Sequence, residues 1–135
     1  MKFQNENQYK EYLEKHFFPQ FFDNEWKKEY SVRRFSYKFS EKPSKERIDY
    51  FGYKNNKPTY VEIKNDRIRQ KYLLQIVRYY CQIAQEHEYR KLGDFDLIVI
   101  CIKKIRPHRE KILNKLGIQI LDIDEICNGG LYKWM

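Results

Sequence analysis

Two acidic residues and a lysine near the middle of the chain have the types and spacing of a hydrolytic metal site. Asp49 lies in the run RIDYFGY, and Glu62 and Lys64 lie in the run TYVEIK, with twelve residues between the two acids. Side chains alternate along a strand, so Glu62 and Lys64 share one face of the second run. If the two runs form a hairpin, Asp49 lies beside Glu62. The sequence therefore predicts that two carboxylates and one ammonium group converge.

This convergence needs a physical reason, because neighbouring carboxylates repel each other and partial burial raises the cost. A divalent cation removes the conflict. Mg²⁺ prefers oxygen ligands and keeps several waters, so Asp49, Glu62 and the backbone carbonyl of Ile63 suffice to hold Mg²⁺ or Mn²⁺. Lys64 would then orient or help to deprotonate a metal-bound water, or offset charge that develops on a phosphate. A metal ion, its water and a lysine together form a phosphodiester hydrolysis site.

The hydrophobic pattern and the turn residues predict the elements that position these groups. In the first half of the chain we expect a helix over 5–18 ended by Pro19, an irregular connection over 20–30, a strand over 31–39 and a loop over 41–45. A hairpin follows, with a strand over 47–53, a turn over 54–58 and a strand over 59–65. The second half is expected to contain a helix over 67–91 ended by Gly93, a buried strand over 95–102, a helix from 106 to 116 and a strand over 118–123. This order predicts one α/β domain over residues 1–135, with a central mixed sheet flanked by helices.

Strand alternation also predicts which neighbours share a face with each candidate. On the second strand, Asp49 is expected with Arg47 and Phe51, whereas Ile48 and Tyr50 point away. On the third strand, Tyr60 is expected with Glu62 and Lys64, and the face opposite carries Val61 and Ile63.

Composition limits the classes of protein that fit. Lys and Arg number 27 against 19 Asp and Glu, which gives a net charge of +8 and favours an anionic partner such as nucleic acid. No apolar run approaches the length of a membrane span, and the charged N-terminus does not resemble a signal peptide, so we expect an intracellular, cytoplasmic protein that does not enter a membrane. Cys81, Cys101 and Cys127 form no C-x-x-C pair and are interpreted as ordinary buried or partly buried thiols. A phosphate-binding G-x-x-x-x-G-K-[ST] loop is absent from the sequence, so no nucleotide cofactor is expected.

The run RIDYFGYKNNKPTYVEIKN resembles the catalytic hairpin of the PD-(D/E)XK nuclease superfamily. The helix after it contains Gln75-Ile-Val-Arg-Tyr79, which is similar to the Q-x-x-x-Y motif of the RecB-like and archaeal endonuclease branches. The resemblance covers roughly residues 5 to 102 and implies a restriction-endonuclease-like αβββαβ core. Ile48 stands where many members have a proline before the first acid.

The resemblance implies a role for each matching residue. Asp49 matches the first acid, Glu62 the second acid and Lys64 the catalytic lysine. Gln75 would help to position the attacking water, and Tyr79 would contact that water or DNA.

Many members of the superfamily also carry a metal-directed glutamate on the first helix. Glu6 is our choice, because its spacing from Tyr9 and Leu13 places it on the predicted core-facing stripe. Glu11 and Glu14 are the alternatives. Glu6 is equally well interpreted as an exposed acid that the helix dipole favours in the first turn.

Further basic residues are candidates for a nucleic-acid interface, with tyrosines available for stacking on unpaired bases. They are Arg33, Arg34, Lys38, Arg67, Arg69 and Lys71. The basic segment from Lys103 to Arg109 is interpreted equally well as a phosphate contact or as a solvated loop.

The expected function is therefore that of a metal-dependent DNA nuclease, with DNA favoured over RNA by the resemblance alone. A homodimer is expected, because paired cuts in a duplex need two sites, and Holliday junction cleavage is the leading subtype. A nucleic-acid-binding module without catalysis is one alternative. A structural component of a viral or mobile-element particle is another.

Overall fold

The elements of the fold follow the predicted order, with one short helix added at the end. The computed structural model describes residues 5–35, 41–64 and 68–127, with the backbone alone described for 32–35, 41–46 and 127. The elements are α1 (Glu6–Tyr12), a π-helical turn (Leu13–Phe17), α2 (Phe18–Phe21), β1 (Lys27–Phe35), β2 (Glu41–Lys54), β3 (Lys57–Lys64), α3 (Gln70–Arg90), β4 (Asp96–Cys101), α4 (Pro107–Lys115), β5 (Gln119–Asp122) and α5 (Ile123–Cys127). The predicted α/β class is confirmed.

Five strands form one mixed sheet in the order β1-β2-β3-β4-β5. The first three strands are antiparallel neighbours, whereas β4 and β5 run parallel to β3. Parallel neighbours need a long crossover, and α3 supplies it between β3 and β4. β4 is buried from Leu97 to Cys101, which agrees with the prediction of a strand covered on both faces.

Hydrophobic clusters cover both faces of the sheet. One cluster joins the N-terminal helices and α5 to side chains such as Val61 and Ile63. The other joins α3 and α4 to side chains such as Tyr60. The alternation predicted for β3 is therefore confirmed, and it leaves Glu62 and Lys64 on the face that α3 covers.

The N-terminal helical segment does not end at Pro19, and this prediction was wrong. The chain stays helical through Phe21, with a π-helical turn in which the N–H of Phe18 donates to the carbonyl of Leu13. Pro19 therefore lies in the first turn of α2. A proline is tolerated at the start of a helical segment, because its missing N–H would have no required partner there.

The first two strands begin earlier than predicted. β1 starts at Lys27 and ends at Phe35, so the irregular connection is shorter than expected, and residues 36–39 of the predicted strand lie outside the described residues. β2 starts at Glu41, inside the predicted loop, and includes Pro43 opposite Arg33 of β1. Among the residues that the structure describes, this end of β2 pairs only with β1, and a strand with one neighbour tolerates a residue without an N–H.

The predicted hairpin between β2 and β3 is confirmed, and its tip is bound to the residue that follows the N-terminal helices. Asn55 and Asn56 have positive φ angles of 52° and 64°, as a tight two-residue turn requires. Their N–H groups donate to the carboxylate of Asp23 at 2.9 and 2.8 Å, and the N–H of Asp23 donates to the Tyr53 carbonyl at 2.8 Å. The hydrogen bonds from Asn56 and Asn55 lower the pKa of Asp23.

The same end of the N-terminal helices lies directly against the hairpin at Gly52. A Cβ atom added to this glycine would lie 2.6 Å from the Phe22 ring, closer than van der Waals contact allows. Glycine inside a strand marks such a close approach. The hairpin that carries the candidate residues is thus packed against the N-terminal helices.

Helix α3 ends at Arg90, where Lys91 adopts the left-handed conformation with φ of 56°, ahead of Gly93 with φ of 81°. The helix begins at Gln70, because Arg69 before it is extended, so the predicted start at about Arg67 was too early. His87 is buried, and its ring is hydrogen-bonded to the Tyr60 hydroxyl. Cys101 is buried as expected, whereas Cys81 is exposed, so the prediction for Cys81 was wrong. Within the described ranges, every helix is too short or too polar to cross a membrane.

Candidate active site

The candidate site lies where β2 and β3 separate. Their ladder ends at the pair Tyr50 and Val61. Beyond this pair, β2 continues beside β1 and β3 continues beside β4. Asp49 and Glu62 are the first residues past the ladder on each strand. We call this point the strand fork.

The two acids bind backbone groups that the separation of the strands leaves without ladder partners. The N–H of Asp49 donates to Oε1 of Glu62 at 3.3 Å, and the N–H of Ile63 donates to Oδ2 of Asp49 at 2.7 Å. The N–H and C=O of one strand residue point to the same side, so the Ile63 carbonyl also faces the fork. The three groups predicted to hold a cation therefore lie together.

The predicted alternation of β2 fails at Asp49. Ile48 and Phe51 both belong to the cluster on the α3 side, whereas Tyr50 belongs to the cluster under the N-terminal helices. Glu29 of β1, which lies between the pairs Lys28–Tyr50 and Tyr30–Ile48, has a positive φ of 51°. This unusual backbone conformation lies on the strand next to β2, at the level of the break in the alternation.

Glu62 is buried beside a second carboxylate. Only 4% of its surface is exposed. Burial raises the pKa of Glu62 well above its ordinary value, and the neighbouring Asp49 raises it further, whereas Lys64 acts in the opposite direction. Burial and the neighbouring carboxylate thus disfavour the ionised form of Glu62, and a divalent cation bound at the fork would offset this cost.

A chain of hydrogen bonds fixes Lys64 beside Glu62. The Lys64 ammonium lies 3.8 Å from Oε2 of Glu62 and donates to Oε1 of Gln75 at 2.6 Å. The Gln75 amide in turn donates to the Tyr79 hydroxyl at 3.2 Å. The Q-x-x-x-Y pair therefore reaches the fork through Lys64. The Tyr79 ring is 4% exposed, so it is not available for stacking on a base.

A second lysine, which the sequence analysis missed, lies against Asp49. The Lys10 ammonium is 3.3 Å from Oδ1 of Asp49 and 3.6 Å from Oε1 of Glu6. Burial lowers the pKa of Lys10, but Asp49 and Glu6 together raise it above its ordinary value. Its position four residues after Glu6 is visible in the sequence, whereas the docking of its helix on the fork is not.

The prediction that Glu6 lies on a core-facing stripe of the first helix was wrong. None of the residues of α1 is buried, and the Glu6 side chain is 40% exposed and paired with Lys10 rather than with Asp49. The alternatives line a groove of about 540 Å³ beside Asp49. There Glu11 is exposed, and Glu14 pairs with Lys28 and accepts a hydrogen bond from the Tyr50 hydroxyl.

The donor set at the fork suits a hard divalent cation. Two carboxylates and the Ile63 carbonyl offer oxygen atoms only, and Mg²⁺ or Mn²⁺ needs few protein ligands because it keeps waters. Residues 5–35, 41–64 and 68–127 contain no cluster of three or more His, Cys, Asp or Glu side chains that would form a complete cage. The residues present therefore fit a cation that is only partly enclosed by protein.

Only part of the predicted basic rim falls on described side chains. Arg69 is exposed at the start of α3, whereas Lys38, Arg67 and the side chains of Arg33 and Arg34 lie outside the described part of the chain. The segment after β4 is better placed, with Lys103, Lys104 and Arg106 exposed. The N–H of Ile102 donates to the Lys64 carbonyl at 3.0 Å, so this basic segment leaves the sheet at the end where Lys64 lies.

Comparison with known proteins supports the fold. A scan of protein-family models gives no match, and neither does a search of curated proteins. Protein VC1899 from Vibrio cholerae is similar in structure, with a TM-score of 0.60 and 14% identity over 94% of this chain. AF1548, a protein of unknown function, is similar with a TM-score of 0.56 and 14% identity over 86% of this chain. The chain spans 31% of the first neighbour and 56% of the second. At this identity the likeness shows a shared α/β fold.

Proposed function

We propose that this chain is a metal-dependent nuclease that hydrolyses phosphodiester bonds in DNA. The observation that carries the proposal is the strand fork, where Asp49 and Glu62 share hydrogen bonds and Lys64 lies 3.8 Å from Glu62. Burial and the neighbouring Asp49 disfavour a charged Glu62, and a bound divalent cation would offset this cost. The lysine fixed beside Glu62 adds a positive charge that can stabilise the charge developing on a phosphate during hydrolysis.

The residues of the fork have different proposed roles in hydrolysis. Asp49, Glu62 and the Ile63 carbonyl would hold Mg²⁺ or Mn²⁺, which when bound supplies an activated water and a Lewis acid. The Lys64 ammonium lies 3.8 Å from Oε2 of Glu62. There its positive charge would orient the attacking water and stabilise the hydroxide that this water becomes, or contact the phosphate. Gln75 positions Lys64 through the 2.6 Å hydrogen bond.

A polyanionic substrate agrees with the charge of the chain. The net charge is +8, and exposed Lys103, Lys104 and Arg106 follow β4 at the end of the sheet where Lys64 lies. Backbone phosphates are the natural partners of such residues. DNA is proposed because the hairpin sequence resembles that of the PD-(D/E)XK nucleases. A homodimer and Holliday junction cleavage are finer proposals that rest on the same resemblance.

The test is cleavage of labelled linear, single-stranded, flapped and four-way-junction DNA with Mg²⁺ or Mn²⁺. We expect metal-dependent cleavage by the wild type and a loss of at least a hundredfold in Glu62→Gln. Glu88→Gln is the matched control, because Glu88 is an exposed acid on α3. If the protein binds DNA but cleaves none of these four substrates, the nuclease proposal is wrong, and a binding module without catalysis is the function to propose instead.

A further inference from the structure

We infer that Lys10 competes with the divalent cation for Asp49, and thereby makes cation binding depend on a bound phosphodiester. This inference rests on the proposed function, because it concerns the same site. It assigns a positioning role to a residue of α1 that the hydrolysis chemistry itself does not use.

The two oxygens of Asp49 have different partners. Oδ2 accepts from the N–H of Ile63 at 2.7 Å, whereas Oδ1 lies 3.3 Å from the Lys10 ammonium. A cation bound by Asp49 would lie about 2.0–2.1 Å from the ligand oxygen. With Lys10 in its present position, two positive centres would share Oδ1 at a separation of a few ångströms, where they repel each other strongly. Cation binding at Oδ1 therefore displaces Lys10.

Displacement is costly for Lys10 unless another anion is near. Within the described residues, Glu6 is its other ion-pair partner, at 3.6 Å, and that side chain is 40% exposed. Lys10 also lines the groove beside Asp49. A phosphodiester in this groove would give the displaced ammonium a new anionic partner next to the site of hydrolysis.

The cation and the phosphodiester then favour the same displaced position of Lys10. Two ligands that favour one state of a shared element bind with positive coupling, and the coupling is reciprocal. The consequence is weak cation binding by the free protein and tighter binding once the nucleic-acid backbone is present.

The experiment is a calorimetric titration with Mn²⁺, with and without a short duplex whose phosphorothioate linkages resist cleavage. Lys10→Gln removes the charge, and Lys10→Arg keeps it. Lys28→Gln is the matched control, because Lys28 lines the same groove but pairs with Glu14 instead of Asp49. Asp49→Asn tests whether the measured Mn²⁺ is bound at the fork.

We expect Lys10→Gln to bind Mn²⁺ about fivefold or more tightly than the wild type without DNA, and to show a smaller gain on addition of the duplex. The Mn²⁺ affinities of Lys10→Arg and Lys28→Gln should both stay near that of the wild type. If Asp49→Asn abolishes Mn²⁺ binding but the Mn²⁺ affinity of Lys10→Gln equals that of the wild type, or rises no more than that of Lys28→Gln, the inference is overturned and the proposed function stands. If no variant and no wild-type sample binds Mn²⁺, with or without DNA, both are overturned.

Discussion

The backbone N–H of Asp49 donates a hydrogen bond to Oε1 of Glu62 at 3.3 Å, at the point where the strands that carry the two residues separate. In turn, the Asp49 carboxylate accepts a hydrogen bond from the N–H of Ile63, the residue after Glu62. Each acid therefore has a structural role in addition to any chemical one. Substitutions that test the chemistry should be amide isosteres, which keep an oxygen acceptor for these backbone groups.

The buried position of Glu62 gives the metal-free protein a pH-dependent stability. The pKa of Glu62 is raised well above its ordinary value of 4.5, so the folded protein binds this proton more tightly than the unfolded chain does. The contribution to stability is complete below the ordinary pKa and is lost as pH rises through the raised pKa. We expect Glu62→Gln to have a flatter dependence of melting temperature on pH between 4 and 9 in EDTA. Parallel curves for the two proteins would contradict this assignment.

Divalent cations should stabilise the folded protein through Asp49 and Glu62. A ligand that binds only the folded state at a hundred times its dissociation constant adds about 2.7 kcal/mol to the free energy of unfolding, which corresponds to a rise of several degrees in melting temperature. Mn²⁺ should produce this rise in the wild type, and EDTA should reverse it. Asp49→Asn keeps an acceptor for the Ile63 N–H but loses the charge, so its melting temperature should not respond. An equal rise in Asp49→Asn would place the bound cation elsewhere.

Gln75 should affect catalysis through Lys64 rather than through folding. Gln75→Leu removes the acceptor that lies 2.6 Å from the Lys64 ammonium, so the lysine loses its fixed position. We expect a tenfold or greater fall in the single-turnover cleavage rate, in line with the usual contribution of a positioned general acid or base. Gln85→Leu is the matched control, because Gln85 is exposed on the same helix. An equal loss in both variants would show that the effect comes from the helix and not from Lys64.

The basic segment after β4 should contribute phosphate contacts. Replacing Lys103 and Lys104 together by Gln should weaken DNA binding and reduce the slope of log affinity against log salt by about 1.8 for a duplex, if each lysine contacts one phosphate. The matched control replaces Lys111 and Lys115, which are exposed on α4. Fluorescence anisotropy over a range of salt concentrations measures the slope. An unchanged slope in the Lys103 and Lys104 variant would remove this segment from the interface.

Local rules in the sequence were sufficient to predict the central part of the site. The period-two alternation of β3 and the two asparagines of the turn predicted that Asp49 would meet Glu62 and Lys64, and the structure brings them together. These features depend on contacts between residues close in sequence, or joined by one tight turn. The α/β order of the elements was predictable for the same reason.

Features that depend on long-range packing were not predictable in this way. Lys10 reaches Asp49 only because its helix docks beside the fork, across a sequence separation of 39 residues. The break in alternation at Asp49 accompanies the unusual backbone of Glu29, a residue of another strand. The role of Pro19 depended on a π-helical turn, for which the sequence carries no simple signal.

The contacts of Asp23 and Phe22 with the hairpin also determine how the molecule opens. Three hydrogen bonds join Asp23 to Tyr53, Asn55 and Asn56, and the Phe22 ring lies against Gly52. The N-terminal helices cannot detach without releasing the tip of the hairpin, so amide protons in both segments should exchange with solvent in one cooperative step. Lys10 lies on the N-terminal helices and Asp49 lies on the β2 strand of the hairpin. The distance between these two side chains is therefore maintained by two segments that open together.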